Sequence, residues 1–231
     1  MFRRLVYMIL IVISMLVASS QTFAIEKPSK MQKALQKLEK SRVAQLKWNE
    51  ETDTPNLLTG SFSRPSNHSP AWIAYEFLNK YKALYGLQNP VRDMKVIKVE
   101  YNPDRTFIHF QHLLFQIPVW GDKLIFEIGK DGVIRRVEGT IYPDLEKIHF
   151  NRPMHAAISE KQAVSKALAS IGIHNLRITM PDCQAYYLPT RKGTPLIYVV
   201  KVRLSEQENS VKLLFIHSLT GKTIDEKVVS G

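Results

Sequence analysis

The sequence predicts an α+β fold made of two successive units, each a helix followed by an antiparallel sheet, behind a signal peptide. The hydrophobic period changes twice along the chain from about four residues, typical of a helix, to two, typical of a strand. Turn residues separate the stretches of period two. The predicted organisation is a signal peptide over 1–24, an N-terminal arm and linker over 25–56, a first unit over 57–150 and a second unit over 151–231.

Residues 1–24 have the pattern of an export signal. Two arginines precede an apolar run over 5–17, and Thr22 and Ala24 form a small-x-small cleavage site. The run is shorter than the roughly 20 residues that a membrane-spanning helix needs. Cleavage after Ala24 predicts a secreted or extracytoplasmic protein with no stable membrane span. An uncleaved N-terminal anchor is the alternative, and it would keep the same domain outside the membrane.

The arm over 25–56 is polar and rich in lysine. Met31, Leu35 and Leu38 have helical spacing, which predicts a short amphipathic helix or a frayed arm. Residues 48–60 are rich in turn formers, and we expect them to be irregular.

The first unit begins with a strong helix signal at Ser69, a capping residue followed by proline. Ile73 and Phe77 open an apolar stripe, and Gly86 stands where a helix end favours a left-handed residue. Four antiparallel strands are predicted after this helix. Their turns are expected at 102–104, 116–118 and 130–132.

The second unit repeats this layout without convincing identity of residues. Ser159 and Gln162 form a capping box, and Ala163 and Ala167 begin a helical stripe. The predicted strands cover 183–188, 195–204 and 211–217, followed by a short strand through 228.

The charge balance is strongly basic. The 231 residues carry 32 Lys and Arg against 21 Asp and Glu, a net charge of +11. Loss of residues 1–24 leaves +9, because this segment holds two arginines and no acidic residue. For an exported protein the surplus favours an anionic cell-wall polymer, lipid head groups or an acidic partner; a solvated basic surface is the alternative. Nucleic acid is not expected, because the compartment is wrong and no binding motif is present.

No sequence pattern requires an enzyme. HExxH, GxSxG, P-loop and dinucleotide motifs are absent. His109 and His112 have the spacing HxxH, but on a strand these positions face opposite sides, so no shared metal site is expected. Cys183, the single cysteine, is expected to be a structural thiol. A hydrolase that uses Cys183 and a histidine is the enzymatic alternative. We therefore expect a non-catalytic protein without a cofactor or a metal.

Several phrases in the first unit together resemble the propeptide of thermolysin- and fungalysin-type proteases. The phrase AxxFLxxYKxLYGL over 74–87 is similar to the helix of that propeptide. The phrases TxIHFQH over 106–112 and IPVWGD over 117–122 are similar to its strand pair, although His112 stands where the family usually has Gln. The phrase KDGV over 130–133 continues the match.

The second unit resembles a PepSY domain. Ile158 and Ser159 open the helix phrase, LIYVV follows over 196–200, and TGK at 220–222 precedes the last strand. Together the two resemblances cover about residues 46–228. They imply an α+β propeptide lobe followed by a PepSY lobe.

In that family the propeptide precedes a zinc metalloprotease, assists its folding and inhibits it. The protease would begin near the end of this sequence. The resemblance therefore implies a free-standing propeptide-like protein that inhibits a thermolysin-like zinc metalloprotease in trans or assists its folding. The candidate protease-binding residues form the C-terminal tail: Lys227, Val228, Val229, Ser230 and Gly231.

The tail and the function each have an alternative interpretation. The tail is either an extended segment that enters the substrate cleft or an edge strand with a frayed end. The protein is alternatively a cell-envelope binding or scaffolding module with no protease partner, in which case its binding should weaken steeply with salt.

Overall fold

The computed structural model describes residues 29–172, 181–203 and 210–230. The predicted signal peptide and Gly231 lie outside these residues. The helices are α1 (Lys30–Glu39), α2 (Pro70–Tyr81), α3 (Pro90–Asp93), α4 (Leu145–Ile148) and α5 (Glu160–Ser170), with a 3₁₀ turn at Lys82–Leu84. The strands are β1 (Arg42–Asn49), β2 (Thr54–Ser61), β3 (Met94–Tyr101), β4 (Arg105–Leu114), β5 (Ile117–Gly129), β6 (Ile134–Thr140), β7 (Asp182–Tyr187), β8 (Leu196–Arg203), β9 (Ser210–His217) and β10 (Thr223–Ser230).

The first unit packs α1 and α2 on an antiparallel sheet with the strand order β1-β2-β6-β5-β4-β3. As predicted, α2 is capped by Ser69, whose hydroxyl accepts from the N–H of Trp72, and it begins at Pro70. The buried face of α2 packs Phe77 into one hydrophobic cluster with Phe110 and Phe126 of the sheet. Aromatic side chains therefore form the centre of this core.

The structure corrects the interpretation of 25–56 as an arm and linker. Ala34 and Leu38 of α1 are buried in the first core, and the segment expected to be irregular forms the β1–β2 hairpin. Pro55, one of the turn formers of 48–60, lacks the N–H that a central strand needs. It fits within β2 because β6 pairs with this strand only over residues 57–59.

The second unit packs α5 on the antiparallel sheet β7-β8-β9-β10. The predicted capping box is present: Ser159 accepts from the N–H of Gln162, whose side chain accepts from the N–H of Ser159. Ala163 and Ala167 press against the sheet. The α+β class with two helix-plus-sheet units is therefore confirmed.

Candidate partner-binding edge and the joint between the units

The tail singled out from the sequence lies in the edge strand β10. Lys227, Val228 and Val229 pair with Leu213, Lys212 and Val211 of β9. Ser230 ends the strand and pairs with Ser210. In the structure, residues 227–230 thus belong to an edge strand, and Gly231 lies outside the described residues.

The side chains of β10 are exposed on both faces of the sheet. Val228 and Val229 are 63% and 47% exposed, and as neighbours in a strand they point to opposite faces. The Lys227 ammonium lies 5.5 Å from the centre of the Phe215 ring, within the range of a cation–π contact. This strand thus presents apolar side chains to solvent, while Lys227 and Glu226 contact Phe215 and Lys212 of β9.

The outer edge of β10 has free backbone groups. No strand among the described residues pairs with it on the side away from β9. In an antiparallel edge strand, alternate residues direct their N–H and C=O outward, where they can hydrogen-bond another extended chain. The geometry of β10 therefore suits addition of a partner strand.

A bulge of β5 joins the two units. Gln111 of β4 pairs with Lys123, but Leu113 pairs with Pro118, so the residues of β5 between them arch away from β4. On this arch Val119 forms the one parallel pair with Tyr187 of β7. The sheet of the first unit continues through this pair into the sheet of the second.

Buried polar side chains hold the arch in place. The Nε2 atom of Gln111 donates to the carbonyl oxygens of Val119 at 2.7 Å and Asp122 at 2.9 Å. The Nδ1 atom of His112 lies 2.7 Å from Oδ2 of Asp122, and the same oxygen accepts from the N–H of Tyr142 at 2.9 Å. These bonds tie β4, β5 and the segment after β6 together.

Asp122 is fully buried, and its Oδ1 atom has no hydrogen-bond partner among the described residues. Burial raises the pKa of this carboxyl above its ordinary value, although the bond to His112 and the N–H of Tyr142 oppose the shift. The carboxyl therefore holds its proton to a higher pH than an exposed aspartate does.

Apolar contacts extend the joint on both sides of the Val119–Tyr187 pair. Leu114, Leu145, Leu196 and this pair form one buried cluster drawn from both units. On the face of the second sheet away from α5, the ring of Trp120 meets Tyr186 and Phe215 edge to face, at 5.1 and 4.9 Å. These contacts form a hydrophobic core that both units share.

His109 and His112 have separate partners. The Nε2 atom of His109 lies 2.9 Å from the Glu100 carboxylate, whereas His112 is buried against Asp122. Within the described residues, no group of three or more His, Cys, Asp or Glu side chains could hold a metal ion. The same part of the chain has no helix both long and apolar enough to span a membrane.

Cys183 lies half-buried on β7, with its Sγ atom 4.0 Å from the carbonyl oxygen of Glu160. Burial raises the pKa of the Cys183 thiol to about 11, and the negative charges of Glu160 and Asp182 add to the shift. Because the thiolate is the reactive form, this thiol is a poor nucleophile at neutral pH.

Sequence reasoning missed the Gln111–His112–Asp122 network. In the sequence, His112 stands out only as half of an HxxH pair and as a departure from the propeptide pattern. Its partner Asp122 is ten residues away, on a strand that reaches it only through the bulge. The sequence feature that could have indicated the arch of β5 is Gly121. Its φ of +85° allows the backbone to turn there.

Comparison with known proteins gives distant similarity to neutral proteases. The chain is 23% identical over 184 residues to bacillolysin of Bacillus cereus, and the match covers 78% of this chain but 32% of that protein. It is 22% identical over 162 residues to the thermostable neutral protease NprT of Geobacillus stearothermophilus, covering 68% of this chain and 29% of that protein. The chain thus spans about a third of the length of these relatives.

No protein-family model matches the sequence. Among solved structures, the Bacillus megaterium YpeB C-terminal domain aligns with 77% of this chain and 73% of its own, with a TM-score of 0.41 and 14% identity. Over most of its length, the chain is therefore distantly similar to part of bacterial neutral proteases.

Proposed function

We propose that this protein is an exported, non-catalytic, propeptide-like protein that binds a thermolysin-like zinc metalloprotease in trans and inhibits it or assists its folding. The observation that carries the proposal is the 184-residue similarity to about a third of bacillolysin. The phrases that resemble a propeptide support it, because they lie in folded elements of one core, from Phe77 of α2 to Phe110 of β4.

Export and the lack of catalysis are parts of the same proposal. The apolar run over 5–17, preceded by two arginines, supports export. The raised pKa of Cys183 supports a structural thiol, because almost none of it is thiolate at neutral pH.

The proposed contact is the open edge of β10. An extended strand of the protease would pair with the outward N–H and C=O groups of this edge, which supply affinity independent of sequence. Val228 and Val229 would add specificity, because their exposed side chains can enter apolar pockets on either side. Both residues remain paired with β9 in this arrangement.

Inhibition of mature bacillolysin by the purified protein tests the proposal. We expect inhibition of peptide hydrolysis at submicromolar concentration that changes little between low and high salt, because an interface of strand pairing and apolar contacts is weakly screened. In parallel, the protein should raise the yield of active protease refolded from denaturant. The proposal would be contradicted if, across a panel of neutral proteases, the protein neither inhibited any protease nor raised its refolding yield.

Two matched substitutions test the edge itself. Val228→Lys places a charge on the proposed contact and should raise the inhibition constant about tenfold, equivalent to roughly 1.4 kcal/mol. Ile97→Lys is the control, because Ile97 is 49% exposed on the edge strand β3. It should leave the inhibition constant unchanged.

Deletion of residues 227–231 should also weaken inhibition at least about tenfold. If both the deletion and Val228→Lys left inhibition unchanged, β10 would not be part of the interface.

A further inference from the structure

A row of lysines lies along the exposed face of α1. Lys30, Lys33, Lys37 and the cap residue Lys40 are all exposed, and their spacing of three and four residues places them on one side of the helix. The row extends about 15 Å. The adjacent face of the helix packs into the first core through Ala34 and Leu38, which fixes the direction of the row.

Helix stability does not explain the lysines at the start of α1, although Lys37 and Lys40 suit the negative end of the helix dipole. Lysines near the start of a helix oppose the positive end of its dipole, and like charges three or four residues apart repel. The first turn of α1 contains no acidic residue to offset Lys30 and Lys33. Over the described ranges, none of the four lysines forms an ion pair.

The row leads into a groove of about 680 Å³. Lys40, Arg64 and Lys80 line it, and none of them has an ion-pair partner in the part of the chain that the structure describes. Arg135 and Asp131 also line the groove, but they bind each other. The uncompensated charge of the groove is therefore positive.

An aromatic wall continues from the groove. A neighbouring depression of about 630 Å³ shares Arg64 and Lys80 with it, reaches Trp72 and His68, and is also lined by Glu76, one helical turn before Lys80. These two rings stack at 4.0 Å, and Trp72 is 46% exposed. One path along the surface thus offers a line of cations followed by a flat aromatic ring.

We propose that this path, from Lys30 through the groove to Trp72, binds a linear anionic polymer of the cell envelope that carries repeated phosphodiester groups. The lysines follow one another at a rise of about 4.5–6 Å, which suits a chain with one negative charge per repeat. Arg64 and Lys80 bind phosphate by charge-assisted hydrogen bonds. The location of the polymer rests on the proposed export, whereas the binding site does not depend on a protease.

The concave part of the path favours a polymer over a membrane surface. A flat bilayer can reach the lysine row on the convex side of α1. Arg64 and Lys80 line the groove but are exposed as well, so a vesicle surface can contact them singly. A flexible chain can stay in continuous contact with both the row and the groove, which a flat surface cannot do.

Binding to a fluorescent poly(glycerol phosphate) chain and to vesicles with anionic lipid tests the proposal, at about 50 and 300 mM salt. For the purified protein we expect binding to the polymer that weakens steeply with salt. The double variant Arg64→Gln with Lys80→Gln should bind the polymer at least about tenfold more weakly. A plot of log Kd against log salt concentration should have a slope smaller by about 1.4 than that of the unchanged protein, because two phosphate contacts to a flexible strand are lost.

The control is Arg191→Gln with Lys192→Gln. These two exposed cations lie between β7 and β8 and change the net charge by the same amount. The control should bind the polymer within twofold of the unchanged protein, and both double variants should inhibit protease normally. Equal losses in the two variants would overturn the proposal, because they would mean attraction by net charge alone. Failure of the unchanged protein to bind the polymer at low salt, or stronger binding to vesicles that is insensitive to Arg64 and Lys80, would also overturn it.

Discussion

The two units share one layout but fill their cores differently. In the first unit, α2 meets the sheet through Phe77, whose ring lies 5.6 Å from Phe126, and Phe126 lies 5.4 Å from Phe110. In the second unit, α5 meets the sheet through Ala163 and Ala167. Small side chains let the helix lie close to the strands, but they bury less apolar area and contribute less stabilisation.

The strands at the edges of the two units differ as well. In the second unit, the side chains of β10 over 223–229 are all exposed, whereas in the edge strand β3 of the first unit Met94 is buried and Val96 and Val99 are partly buried. In the first unit, the core holds α1 through Ala34 and Leu38, and with it the lysine row, in a fixed orientation. In the proposed function, the first unit with its aromatic core acts as a scaffold, and the second offers the edge of β10 to a partner.

The largest effect that tests this comparison is expected from Phe126→Ala. Phe126 is fully buried, so its truncation should lower the free energy of unfolding by about 3–5 kcal/mol. Tyr101→Ala, at an aromatic residue that is 75% exposed, should change it by less than about 0.5 kcal/mol. Urea unfolding of both variants measures the difference, and similar losses would refute the role of the aromatic core.

An intermediate effect is expected from Ala167→Leu in the second unit. Ala167 is fully buried against the sheet, so the larger side chain should cost about 1–3 kcal/mol by overpacking. Ala169→Leu, at an exposed position of the same helix, should be nearly neutral. If Ala167→Leu stabilised the protein, the second core would contain a void, and the close approach of α5 would be wrong.

The smallest effect is expected at the joint, from Asp122→Asn. The pKa of the Asp122 carboxyl is raised in the folded state, so the folded protein binds this proton more tightly than the unfolded chain. The free energy of unfolding therefore falls as the pH rises through the raised pKa. Removal of the titrating group should make the dependence on pH flatter.

Urea unfolding at a series of pH values from about 4 upward measures this dependence, and the difference in the free energy of unfolding should shift in favour of the variant as the pH rises. The ionisable groups around Asp122 are His112 and Tyr142, with Glu51 bonded to Tyr142. All three groups remain in the variant. If the variant's free energy of unfolding depended on pH as strongly as that of the unchanged protein, one of these groups would be the cause.

Local signals predicted the elements that depend on nearby residues. Ser69 with its following proline fixed the start of α2, and the Asp131–Gly132 turn between β5 and β6 was predicted from two residues. At Gly132 φ is +71°, and a Cβ atom there would lie 2.0 Å from the carbonyl oxygen of Ser66. Only glycine fits such a position without displacement of the backbone.

Features that depend on distant partners were missed. The strand character of Pro55 follows from where β6 stops pairing with β2, which no local pattern encodes. The contact of His112 with Asp122 requires the bulge of β5, and the bulge depends on Val119 pairing with the second unit. For the tail, the sequence offered an edge strand as one of two interpretations, but the register of Lys227–Val229 with β9 needed the three-dimensional structure.

Hydrogen–deuterium exchange of the protein, alone and with a catalytically inactivated mature neutral protease, tests the central claim most directly. If the protease adds a strand to β10, the outward N–H groups over residues 223–230 become protected in the complex, while those of the edge strand β3 exchange as before. Exchange over 223–230 that does not change at saturating protease would contradict the account.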